Sequence, residues 1–283
     1  MQLVKILGYS HIIISVGAGT TAYFSALSLG LEGGARDAAC LICAFTGLGY
    51  TVQRFIKTQF FPHSAPPDRI AFMNKYGRHL VVGWVAVLIA AVNIVEVEFS
   101  HSSNALLVAL IILSMSYAVV PLREKPHLKL PLVASVFALA TVIYPACLAG
   151  LEVSDMTPTI ATVLLARLLY VAGITIPFDV RDLHIDSTKM KTIPQQIGEK
   201  RALHRAMIFV LVSSILWAGL VTMGGVDKVV GVSLCIHSCI SVAFVSPLFV
   251  RRNRSEIYYS LVLDGLLSFP FVILPLCYQL FQQ

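Results

Sequence analysis

Apolar residues in this chain come in long unbroken runs, and the polar stretches between them are short and carry most of the Lys and Arg. A helix that crosses a bilayer needs roughly 20 such residues. Nine runs meet that length, at 8–30, 37–56, 79–98, 104–122, 130–150, 157–178, 203–223, 228–249 and 257–281. Outer-membrane barrels instead use strands of about ten residues that alternate between apolar and polar. The expected class is therefore all-α: a polytopic membrane bundle of nine transmembrane helices. Its loops are too short to hold a separate soluble domain, so residues 1–283 form one unit.

Composition supports this. Apolar residues make up 57% of the chain and charged ones 13%, with a mean hydropathy of +0.80; soluble domains carry about 25% charged residues. The first run lacks a basic leader and a small-residue cleavage site, so it reads as part of the bundle and not as a cleaved signal.

Charge then orients the bundle. Taken on alternate sides, eighteen of the twenty-one Lys and Arg fall on one side, which the positive-inside rule makes cytoplasmic. Arg36 and Lys228 fall on the other, and Arg167 lies within a span. The N-terminus is thus expected inside and the C-terminus outside, with 57–78 and 179–202 as cytoplasmic caps. Ser64 to Asp68 reads as a turn leading into a short amphipathic helix. The net charge of +6 is explained by topology, without a nucleic-acid partner. Cys40, Cys43, Cys147, Cys235, Cys239 and Cys277 all lie in apolar segments and read as small packing residues. Cys235, His237 and Cys239 suggest a metal site, but on a helix His237 points about 200° from Cys235, so the three cannot converge.

The densest chemistry follows the sixth span, where Asp179, Asp182 and Asp186 stand at i, i+3 and i+7. On a continuous helix they fall within about 60° of one another, with Arg181 pointing away. Such a cluster repels itself unless a cation neutralises it. Hard divalent ions with oxygen ligands, Mg²⁺ above all, suit it, and Lys189 and Lys191 beyond it suit an anionic ligand. The alternative is a solvated helix end whose carboxylates pair with neighbouring Lys and Arg.

Asp179-x-x-Asp182-x-x-x-Asp186, followed by Lys189-x-Lys191-x-x-Pro194 and Gly198, resembles the second aspartate-rich motif of the UbiA superfamily of intramembrane prenyltransferases. Nine helices with cytoplasmic loops match that family over the whole chain. The resemblance implies Mg²⁺ held by two such motifs, a prenyl diphosphate that is ionised, and a lipid or aromatic acceptor for the allylic cation. It also implies an integral membrane setting, the bacterial cytoplasmic membrane, with the active site facing the cytoplasm.

The family's first motif, Asn-Asp-x-x-Asp-x-x-x-Asp, falls on Gly49, Tyr50, Gln53 and Lys57. The spacing survives and the carboxylates do not. Lys57 and Arg54 could supply directly the positive charge that metal brings to a diphosphate, or could simply anchor the helix end to lipid headgroups. Tyr117, Arg123, Lys125 and Lys129 look like the family's tyrosine and loop cations, although an aromatic belt and the inside rule explain them equally. Gln53, Arg54, Lys57, Arg123, Lys125, Lys129, Lys189 and Lys191 are therefore the expected diphosphate contacts. Asp179, Asp182 and Asp186 are the expected metal ligands, and with Tyr117 the catalytic set. Tyr50, Tyr117, Tyr170 or Phe178 would face the allylic cation. Arg167 and Asp264 are charges within spans that could pair with each other. Competing readings are a terpene cyclase on the same site, a non-catalytic lipid-binding or scaffold protein, and a transporter, which would need a site near the midplane.

Overall fold

The computed structural model describes residues 2–60, 67–96, 99–119, 125–251 and 254–281. Among them the secondary structure is entirely helical. Helices α1 (Gln2–Tyr9), α2 (Ile12–Ser28), α3 (Glu32–Phe60), α4 (Pro67–Ile94) and α5 (His101–Val119) form the first half. Helix α6 (Lys129–Ala138) runs through a π-helical turn, Leu139–Ile143, into α7 (Tyr144–Leu148). After α8 (Pro158–Arg181) come two 3-10 turns and the short α9 (Ile193–Ile197), then α10 (Glu199–Thr222) and α11 (Lys228–Phe244). The last segment joins a second π-helical stretch, Tyr258–Leu263, to α12 (Asp264–Leu266) and α13 (Pro270–Phe281).

Six helical segments have the length and apolarity to cross a membrane: Glu32–Phe60, Pro67–Ile94, Lys129–Leu148, Pro158–His184, Glu199–Thr222 and Tyr258–Phe281. Ile12–Ser28, His101–Ser116 and Lys228–Phe244 are apolar but shorter. Large apolar side chains point outward, with Val82 69% exposed and Ile215 60% exposed. That outer surface suits lipid and not water. The protein is a polytopic helical membrane bundle.

Helix α8 packs on α6 and α10, α10 on α11, α2 on α3, and α3 on α4. Two glycines allow close approach. A Cβ on Gly173 of α8 would stand 2.5 Å from Val210 Cγ2 on α10, and one on Gly47 of α3 would stand 2.4 Å from the Trp84 ring on α4.

Two expectations are corrected here. Residues 57–60 and 67–78 do not form a cap loop with a separate amphipathic helix; they continue α3 and α4. Charge lowers their hydropathy, but Arg, Lys and Met are good helix formers, and Pro67 sits at the first helical position, where its missing N–H costs nothing. The aspartates also do not share one continuous helix face. Helix α8 ends at Arg181, with Asp182 as its C-cap, and Asp182–His184 tighten into a 3-10 turn.

Candidate functional site

A cavity of about 590 Å³ is lined chiefly by α3, α5, α6 and α8. From α3 come Tyr50, Gln53, Arg54 and Lys57, at the i, i+3, i+4, i+7 spacing that puts residues on one side of a helix. From α6 come Lys129, Leu132, Val133, Val136 and Phe137, again a single stripe, continued by Ala140 of the π-helical turn. Helix α8 supplies Ile174, Thr175, Phe178, Asp179, Arg181 and Asp182, and α5 supplies Leu107, Leu110, Ile111 and Ser114. Arg69 from the start of α4 joins them, with Glu256 and Asp264 from the C-terminal part.

The charged lining lies at the end of α3, the starts of α4 and α6 and the end of α8. Further along the same helices the lining becomes apolar, through Ile42, Phe45, Leu88, Leu110, Phe137, Ala140 and Val171. The result is a polar mouth over a greasy depth, of the size usual for small-molecule sites.

Ion pairs organise the mouth. Lys129 Nζ lies 2.7 Å from Asp179 Oδ1 and also contacts Asp186 Oδ2. The Lys129 side chain is 9% exposed and each carboxylate 1%. Arg181 donates from Nε to Asp182 Oδ1 at 2.7 Å and from Nη2 to Oδ2 at 3.0 Å. Arg181 Nη1 donates to Glu256 Oε1 at 3.1 Å, and Arg69 Nη2 pairs with the same oxygen. The Arg181 guanidinium also lies 5.1 Å from the ring centres of Phe178 and Tyr259.

Of the expected site residues, Asp179, Asp182, Gln53, Arg54, Lys57 and Lys129 line the cavity together. Gln53 donates its amide to Ser114 O at 2.7 Å and so ties α3 to α5. Asp186 is buried beside the cavity against Lys129 and does not line it. Lys125, Lys189 and Lys191 are exposed and stand outside the lining. Arg123 lies outside the described residues, as does the side chain of Tyr117, whose backbone is in the last turn of α5.

Tyr50 and Phe178 face the cavity, but Tyr170 does not: its hydroxyl is used in a buried network with His237 Nε2 at 2.9 Å and Ser241 Oγ at 3.0 Å. Cys235 and Cys239 turn the other way, to Ser214 Oγ, so these three do not converge. Arg167 donates to Ser25 Oγ at 3.0 Å and lies over Trp217, while Asp264 lines the cavity, so the two do not pair. Sequence reasoning missed Arg69, Arg181 and Glu256 as lining residues. Arg69 stands in a stretch that reads as a loop, and Arg181, the last residue of α8, pairs with Asp182 where the helix gives way to a 3-10 turn, which a projection on a continuous helix does not show.

The donor set does not fit a divalent metal. Mg²⁺ binds through one or two carboxylates, with waters and phosphate oxygens completing its shell, whereas here the Lys129 ammonium already stands between Asp179 and Asp186 and Arg181 engages both oxygens of Asp182. Asp179 Oδ2 is buried without a hydrogen-bond partner, but it belongs to a carboxylate whose charge Lys129 already balances. Among the described residues no three His, Cys, Asp or Glu side chains group so as to hold a metal ion.

Fold and site together define a helical membrane protein with a cavity that is lined by ion-paired charges at its mouth and apolar in its depth. No protein-family model matches the sequence, and no curated protein matches it. Solved structures do match. A UbiA homologue from Archaeoglobus fulgidus, bound to GPP and Mg²⁺, superposes with a TM-score of 0.57 at 14% identity, over 96% of this chain and 98% of that one. The same homologue bound to DMAPP and Mg²⁺ gives 0.55 at 14% identity, with the same coverage. A structure concerned with digeranylgeranylglyceryl phosphate synthase gives 0.54 at 13% identity, over 99% of this chain and 98% of that one. This chain has the UbiA fold.

Proposed function

We propose that the chain is a divergent UbiA-type intramembrane prenyltransferase, which takes a prenyl diphosphate into the cavity and passes the prenyl group to a lipid or aromatic acceptor. The observation that carries this is the cavity's polarity gradient: Arg54, Lys57, Arg69 and Lys129 at the mouth, and Phe45, Leu110, Val136 and Phe137 in the depth. A diphosphate needs the first and an isoprenoid tail the second. The solved neighbours bound to GPP and DMAPP support the same ligand class. In this reading the helices make nine spans, the N-terminus inside and the C-terminus outside, and the mouth faces the cytoplasm.

In the reaction, the carbon–oxygen bond to the diphosphate breaks and its electron pair leaves with the phosphate. The mouth cations stabilise the charge that develops there, a form of catalysis that works because the groups are fixed before the reaction. The allylic cation left behind lies against Tyr50 and Phe178, whose ring faces attract positive charge. The acceptor's nucleophilic atom then forms the new bond and gives up its proton. The resemblance calls for Mg²⁺, but the carboxylates that would hold it are engaged by Lys129 and Arg181, so no step is assigned to metal.

The test is to incubate purified protein with C5 to C20 prenyl diphosphates, with and without membrane lipid extract, and to follow diphosphate release. Release that depends on extract supports transfer. Release without extract, with a cyclic product, makes the protein a cyclase. Binding without release leaves a non-catalytic lipid-binding protein.

A further inference from the structure

We infer that the Lys129 ammonium occupies the place of a divalent metal at the aspartate cluster, so that this chain recognises a prenyl diphosphate without metal. The inference rests on the diphosphate reading above. Three observations carry it. First, the Lys129 ammonium bridges two carboxylates from separate turns, Asp179 at 2.7 Å and Asp186 in direct contact, as a metal ion bridges its ligands. Second, the triad is set in a rigid frame. The Gln195 side chain caps Thr192 N–H at 2.9 Å and donates to Asp186 O at 3.3 Å, so Asp186 is fixed by the start of α9. Third, Lys129 also lines the cavity, beside the α3 cations Arg54 and Lys57.

Those α3 positions belong to the stretch where the sequence has lost its other carboxylates, with Lys57 at the third of them. Both halves of the mouth therefore present the chain's own cations. A divalent ion could enter the aspartate cluster only by expelling a buried ammonium from between two carboxylates. That exchange leaves the ammonium without either partner, which is strongly unfavourable. An ammonium fixed by two carboxylates and facing a phosphate does the electrostatic part of a metal's work: it neutralises the acids and attracts the leaving group.

The test compares geranyl diphosphate binding, by equilibrium dialysis of the full-length protein in nanodiscs, in excess EDTA and in excess Mg²⁺. The Kd should agree within about threefold, a small difference on the affinity scale, and added Mg²⁺ or Mn²⁺ should leave the melting temperature unchanged. In Lys129→Met the carboxylates lose their cation. Binding in EDTA should then fall by about tenfold or more, and Mn²⁺ should raise the melting temperature of the variant. Wild-type binding that collapses in EDTA, or a wild-type melting temperature that rises with Mg²⁺, overturns the inference and leaves the prenyltransferase reading standing. A folded Lys129→Met that binds as well in EDTA as wild type, or gains no stability from Mn²⁺, also overturns it. No binding by wild type in either condition overturns the diphosphate reading as well. If Lys129→Met does not fold, the two wild-type comparisons decide the matter.

Discussion

Lys129 holds two buried carboxylates with one charge, and that ratio sets the order of the mutational effects. Removing the ammonium takes the Lys129 charge away from two buried carboxylates at once, whereas removing one carboxylate leaves Lys129 paired with the other. Breaking a buried pair by deleting one partner costs about 3–5 kcal/mol, and Lys129→Met is expected at that level. Asp186→Asn should cost less, about 1–3 kcal/mol, the usual loss when a buried hydrogen-bonded partner is weakened. Thermal melts of both variants in one detergent check the order; equal losses would show that the triad is not the unit drawn here. This departs from the sequence expectation of a self-repelling cluster that a divalent ion neutralises. The sequence shows the three acids but not that Lys129, some fifty residues earlier, reaches Asp179 and Asp186.

Lys57 is a second residue whose role can be measured. A charge-assisted contact to phosphate is worth roughly 1.5–3 kcal/mol, so Lys57→Ala should weaken geranyl diphosphate binding by about 10- to 150-fold. Lys57→Asp places repulsion at the mouth and should be worse than Ala. Equal binding by wild type and both variants would reduce Lys57 to a topology determinant.

At the level of helices, the apolar runs were legible because a bilayer imposes one length on all of them, and the long helices fall on those runs. Their ends were not. Hydropathy drops wherever Arg or Lys stands, so α3 and α4 were cut short at Lys57 and Arg78, although the helices continue into the charged stretch. The C-terminal end of α8 was overextended for the opposite reason: periodicity carries a helix forward until something visible stops it, and the Asp182–His184 turn has no Gly or Pro to announce it. Asp179, Asp182, Lys57 and Arg54, which the family resemblance and the topology put at one mouth, nonetheless line one cavity.

Packing of α3 on α4 makes a testable contrast. A Cβ at Gly47 meets the rigid Trp84 ring at 2.4 Å, while a Cβ at Gly83 of α4 meets nothing within 4 Å. Gly47→Ala should destabilise by about 1–3 kcal/mol through overpacking. Gly83→Ala should be neutral or stabilising by up to about 1 kcal/mol, from helix propensity. Melting temperatures of the two variants read this directly, and equal shifts would contradict the close approach of α3 and α4.

For the whole molecule, the bias of Lys and Arg fixes an expectation for orientation. Alkaline phosphatase fused after Gln283 should be active when the protein is expressed in bacteria, and a green fluorescent protein fused there should be dark, because the C-terminus is expected outside. The reverse pattern would put the mouth of the cavity on the outer face and remove the cytoplasmic supply of a charged substrate. The polarity of the cavity is itself a whole-molecule property. It arises because α3, α6 and α8 each carry charge at the same end of the bundle and apolar residues further in, a coincidence that no single motif reports.

The most direct measurement is a structure of the protein with geranyl diphosphate in EDTA. The account predicts the diphosphate among Arg54, Lys57 and Lys129, with Lys129 still between Asp179 and Asp186 and the prenyl tail running toward Phe137 and Leu110. A ligand bound elsewhere, or a diphosphate turned away from those three cations, would contradict it.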